Sequence, residues 1–162
     1  MTIGTFLAIA TLIGYPAYPK AEGLEDLKPI PDGVFLDLEG SKRALSEFRG
    51  KVVLINFWGT WCVPCLREIP ELVVLSHQLK RRGLEVIGIA VDSGRPEDIR
   101  AFMTQHGMDY HIRLGELGLV KRVFRIVGFP TSLLIDRHGM VRKRYVGPQT
   151  LEVFRKDVEA LL

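Results

Sequence analysis

The two cysteines of this chain, Cys62 and Cys65, stand with two residues between them in Trp61-Cys62-Val63-Pro64-Cys65. So close a pair cannot staple distant parts of a fold, as the disulfide framework of a small secreted domain does, and its use is therefore chemical: a redox dithiol or half of a metal site. The thiolate is the nucleophile of thiol–disulfide exchange. A cysteine at a helix N-terminus gives up its proton below the free value of about 8.5, because orphan backbone N–H groups and the positive end of the helix dipole stabilise the anion. Cys62 is the expected attacking sulfur. Two intervening residues put Cys65 within bridging reach across the first turn, so it can resolve a mixed disulfide by intramolecular attack. Pro64, lacking an N–H, suits that first turn.

Two other chemistries use similar residues. A zinc site could combine the cysteines with His106 and His111, but the stretch from Cys65 to His106 is far longer than in a compact finger and no second CxxC exists. No metal is expected. A peroxidase with one peroxidatic cysteine wants threonine three residues before it and proline further upstream, where this chain has Gly59 and Ile55.

The elements that must hold the dithiol follow from periodicity. Val52 to Trp58 is an unbroken apolar run of strand length, expected at the centre of a sheet with both faces covered. From Val63 to Leu79 the residues Leu66, Ile69, Leu72, Val73, Leu75 and Leu79 recur at helical spacing, Gly83 stops the pattern, and Leu84 to Val91 reads as a second buried strand. Strand, helix and strand make a crossover unit and an α/β fold class. The cysteines fall where the first strand gives way to its helix. Pro96 opens a further helix that Gly107 stops, and Leu117, Val120, Val123 and Phe124 suggest another short one. Thr131 to Asp136 and Met140 to Val146 form an antiparallel hairpin across Arg137-His138-Gly139, and Leu151, Phe154, Val158 and Leu161 mark a closing helix. Upstream, Phe35 to Leu38 and Arg43 to Phe48 flank Glu39-Gly40-Ser41 as a short strand pair.

The motif Phe57-Trp58-Gly59-Thr60-Trp61-Cys62-Val63-Pro64-Cys65, with Pro70 five residues on and Gly128-Phe129-Pro130-Thr131 later, resembles the thioredoxin superfamily from about Phe35 to the C-terminus. The Asn56-Phe57-Trp58 start, the Val63-Pro64 dipeptide, the apolar N-terminus and the helix inserted after the second core strand are similar to the membrane-anchored TlpA/ResA-like branch. The resemblance implies an extracytoplasmic disulfide reductase with a central mixed sheet flanked by helices. It would work without a cofactor beyond its own redox-active disulfide, be recharged by a transmembrane thiol donor, and act on client proteins such as an apocytochrome c or a copper-centre assembly protein. It also implies a cis bond before Pro130, facing the cysteines, with Trp61, Phe129, Pro130 and Thr131 contacting the client, although Pro130 read alone could be a plain turn proline. Trp58, Val63, Pro64, Asn56 and Pro70 then shape the site, Pro70 by bending a helix that continues past it.

Asn56 is a departure, because ordinary thioredoxins carry a buried aspartate there as proton acceptor. Glu68, three residues after Cys65 on the same helical face, could take the proton of Cys65 instead, a role the branch resemblance favours. The alternative is an exposed first-turn carboxylate that only complements the helix dipole.

Length, with 47% hydrophobic and 25% charged residues, fits one folded domain with a proper core, expected over residues 32–162 as a monomer. The formal net charge of +3 comes from scattered cations. Lys80-Arg81-Arg82 and Arg142-Lys143-Arg144 read as solvated surface, which argues against a nucleic-acid partner. From Thr2 to Pro19 there is no charge. Residues 1–19 read as a membrane anchor or export signal, short of the ~20 apolar residues of a spanning helix and without a positive start; a buried helix is the other reading. Residues 20–31, with charges, prolines and a glycine, read as a linker. The alternatives to a reductase are a chaperone-like module that holds unfolded clients on the apolar surface around Trp61 and Phe129, and a peroxiredoxin-like antioxidant protein.

Overall fold

The computed structural model describes residues 28–162. The anchor or signal reading of residues 1–19 and most of the linker reading lie outside them. Among the described residues no helix is long and apolar enough to cross a membrane.

Val34–Leu36 (β1) and Lys42–Ala44 (β2) pair antiparallel, followed by a 3-10 turn over Leu45–Phe48. Val52–Trp58 (β3) leads into Val63–Leu79 (α1), a 3-10 turn at Lys80–Arg82 and Leu84–Val91 (β4). Then come Pro96–His106 (α2), His111–Gly115 (β5), Leu117–Phe124 (α3), Thr131–Ile135 (β6), Val141–Val146 (β7) and Leu151–Glu159 (α4). The strands form one mixed sheet in the order β2-β1-β5-β4-β3-β6-β7, with β3, β4 and β5 parallel and β6 antiparallel to β3.

The apolar runs become buried strands because helices cover both faces of the sheet. Leu54, Trp58, Val86 and Leu134 face α1, α2 and α4 through Ile69, Leu72, Leu75, Ile99, Phe154 and Val158. Phe57, Ile87, Ile89 and Leu133 face α3 through Val120 and Phe124, and the 3-10 turn through Leu45. All seven residues of β3 are buried. The middle of the sheet, however, is β4, with β3 between it and β6. Helix α1 keeps the predicted bounds and runs through Pro70. In the β6–β7 hairpin Gly139 takes a φ of 80°, the left-handed turn that its position required, and the Asp136 carboxylate accepts from the N–H groups of His138 and Met140.

One strand is absent from the sequence reading. β5 pairs parallel with β4, yet its sequence is neither an apolar run nor an alternation: His111 is exposed while Arg113 is buried and donates to Glu47 at 2.8 Å. An ion pair with the more exposed Glu47 satisfies the buried guanidinium at a position where the hydrophobic pattern expects an apolar residue. The end of the expected linker also packs on the domain, since Ile30 N–H donates to Gly139 O and Val141 N–H to Lys28 O.

Candidate active site

Cys62 caps α1 and Cys65 lies in its first turn, so the strand-to-helix junction presents both sulfurs where β3 ends. They are joined as a disulfide with their Cα atoms 5.3 Å apart. Cys62 Sγ accepts from Cys65 N–H at 3.3 Å, a donor it shares with Cys62 O at 3.0 Å, and a backbone N–H turned to this sulfur favours its thiolate. Both residues are buried, Cys62 at 4% and Cys65 at 1% exposure. Pro64 sits among the first residues of α1, whose N–H groups have no helical acceptor.

The turn before Cys62 is tied to the end of β4. Thr60 N–H donates to Ser93 Oγ at 3.2 Å, Thr60 Oγ1 donates to Ser93 O, and Ser93 Oγ donates to Val91 O. Trp61 Nε1 donates to the same Val91 carbonyl at 3.1 Å, which lays the indole over Gly59; a Cβ there would come within 2.5 Å of the ring. Trp61 remains 54% exposed and meets the Phe129 ring edge-on at 5.3 Å. The Phe129–Pro130 bond is cis, and Thr131 Oγ1 donates to Gly128 O at 2.7 Å. Val63, the first residue of α1, and Val127, 70% and 86% exposed, add to this apolar surface. Trp58 is buried and stacked on Phe102.

Beneath this surface lies a polar cluster. Asn56 Nδ2 donates to Glu68 Oε2 at 2.7 Å and to Ser132 Oγ at 2.9 Å, and Gln149 N–H donates to Glu68 Oε1 at 2.9 Å. Glu68 is 1% exposed and lies beyond the first turn of α1, so it is not the surface carboxylate of the alternative reading. Burial pushes its carboxyl up to about 7 against the two N–H donors, which favour the anion. Ser93, Ser132 and Gln149 were not singled out in the sequence, and nothing local marks them, because their bonds join residues far apart in the chain. His106 packs on Phe102, and His111 on Phe48, so neither histidine joins the cysteines. Among the described residues no group of three or more His, Cys, Asp or Glu side chains is placed to hold a metal ion.

Fold and site together define a thiol–disulfide oxidoreductase built on the thioredoxin pattern. The Redoxin family profile matches residues 26–162, and the chain belongs to that family. It is 34% identical over 150 residues to the thiol-disulfide oxidoreductase ResA of Bacillus cereus, covering 90% of this chain and 86% of that one. A solved thiol:disulfide interchange protein of the thioredoxin family from Chlorobium tepidum superposes with a TM-score of 0.72 at 29% identity, covering 82% of this chain and 94% of that one. A secreted thiol-disulfide isomerase from Corynebacterium glutamicum gives 0.75 at 25% identity, covering 82% and 84%.

Proposed function

We propose that the protein is a reductase of extracytoplasmic protein disulfides, with Cys62 as nucleophile, Cys65 as resolving thiol and Glu68 as its proton acceptor. The Cys62 thiolate attacks one sulfur of the client disulfide, forming a Cys62–client mixed disulfide and releasing the other client sulfur as thiolate. Glu68 carboxylate takes the proton of Cys65, and the Cys65 thiolate attacks Cys62 Sγ. The mixed disulfide breaks, the Cys62–Cys65 disulfide forms, and two electrons have passed to the client. The oxidised protein is the state in which Glu68 has just gained a proton, and a carboxyl poised near 7 returns it to solvent at neutral pH.

The observation that carries this reading is the burial of Glu68 one helical turn behind Cys65, in a hydrogen-bonded cluster that among the described residues contains no other carboxylate. Clients dock on the apolar surface of Trp61, Val63, Val127 and Phe129 beside Pro130 and Thr131. Val63 and Pro64 offer the Cys62 thiolate no side-chain donor, and Glu68 adds negative charge behind it, which favours the disulfide and hence reduction of clients. The uncharged stretch from Thr2 to Pro19 and the secreted neighbour support work outside the cytoplasm, with a transmembrane thiol donor as the source of electrons. Clients of the class of apocytochrome c or copper-centre assembly proteins follow from the branch resemblance. The test is turbidity from insulin reduction with dithiothreitol as electron source: the wild type accelerates it and Cys62→Ser does not. Equal rates with and without the protein would reject the assignment.

A further inference from the structure

Both hydrogens of the Asn56 side-chain nitrogen are spent on two buried acceptors contributed by other elements, Glu68 of α1 and Ser132 of β6. The three side chains are each 1% exposed, so solvent does not compete for these bonds. We propose that Asn56, braced by Ser132, is the positioning residue that sets the proton affinity of Glu68 and through it the pH range of the resolving step.

The groups around Glu68 leave this task to Asn56. Burial, Gln149 N–H and the Asn56 amide govern its carboxyl, and Asn56 supplies the side chain among them. On α1, Cys62 and Cys65 precede it, Arg67 is exposed, and Glu71 is engaged by Leu151 N–H. Before β5, Tyr110 is buried with a phenol that burial and the Glu68 charge keep neutral. β3, β6 and the loop before α4 bring the uncharged Asn56, Ser132 and Gln149 into the cluster, and on α4 Asp157 is held by Tyr145 and Lys143.

An amide is suited to a carboxyl that must change state. Facing the carboxylate, its N–H₂ donates to Glu68 and Ser132. Turned over, its Oδ1 can accept from a protonated Glu68 and from the Ser132 hydroxyl, which both donates and accepts. The cradle carries no charge in either state. An aspartate at this position would instead repel the Glu68 carboxylate and share its proton.

The inference rests on Glu68 as the acceptor for Cys65, but its test does not use catalysis. The carbonyl band of the protonated Glu68 carboxyl is followed by infrared spectroscopy against pH in the oxidised protein, with Glu68→Gln as the blank. Asn56→Leu removes a donor to the anion, so the midpoint rises by about one pH unit or more, roughly a tenfold gain in proton affinity. Asn56→Asp raises it further, and Ser132→Ala moves it upward by less. A midpoint unmoved in a folded Asn56→Leu variant overturns the inference. If that variant does not fold, unmoved midpoints in Asn56→Asp and Ser132→Ala overturn it. Failure of the acceptor reading looks different: Glu68→Gln would leave resolution by Cys65 unchanged while the midpoints still shift.

Discussion

Cys65 N–H is shared between Cys62 O at 3.0 Å and Cys62 Sγ at 3.3 Å, so a backbone donor of the first turn of α1 points at one sulfur of the pair and not the other. That asymmetry supports the proposed roles, with Cys62 attacking and Cys65 resolving. Cys65→Ala should accumulate mixed disulfides with client proteins, and Cys62→Ala should capture none. Non-reducing electrophoresis of both variants from cells reads this directly, and equal trapping would contradict the division of labour.

In the proposed mechanism Glu68 acts after the mixed disulfide has formed. Glu68→Gln should therefore leave the rate of Cys62 alkylation nearly intact and slow resolution by Cys65 by about 10²-fold, the lower end of what a positioned proton acceptor contributes. Rapid-quench kinetics from pH 6 to 8 separate the two steps. An unchanged resolution rate would leave the carboxylate without a part in the chemistry.

The same residue should shape stability against pH. The folded protein keeps the Glu68 proton up to about pH 7, whereas the ordinary value is 4.5. Between these limits the folded state binds more protons than the unfolded one, so stability falls as pH rises through the window and levels off above it. At about 1.4 kcal/mol for each tenfold change in proton affinity, the loss is about 3 kcal/mol, which Glu68→Gln should escape. Denaturant unfolding of the oxidised proteins should show the variant gaining on the wild type by about that amount between pH 4 and pH 8. A constant difference across the range would contradict the buried, shifted carboxyl.

How much of this was legible in the sequence depends on how local each feature is. The bounds of α1, the buried strands on either side of it and the dithiol at their junction follow from runs and spacings within a few residues, and the structure keeps them. β5 did not follow, because Arg113 is buried by pairing with Glu47, 66 residues away, a partner that no window of sequence shows. The cluster around Glu68 is of the same kind. Its bonds reach Asn56 over 12 residues and Gln149 over 81, and the bond from Asn56 to Ser132 spans 76. Helical spacing could place Glu68 on the face of Cys65; only the closing of β6 and the loop before α4 over it makes it a buried acid.

The direction of electron flow is the centre of this account, and the reduction potential of the Cys62–Cys65 pair tests it most directly. Val63 and Pro64 give the thiolate no donor and Glu68 adds a negative charge, so the disulfide is favoured and the potential should lie nearer thioredoxin, about −270 mV, than the oxidant DsbA, about −120 mV. Equilibration in glutathione and dithiothreitol buffers, read by the fluorescence of Trp58 and Trp61, gives the midpoint. A value near −270 mV is predicted; one above about −180 mV, the protein disulfide isomerase range, would make the protein an oxidase or isomerase and contradict the account.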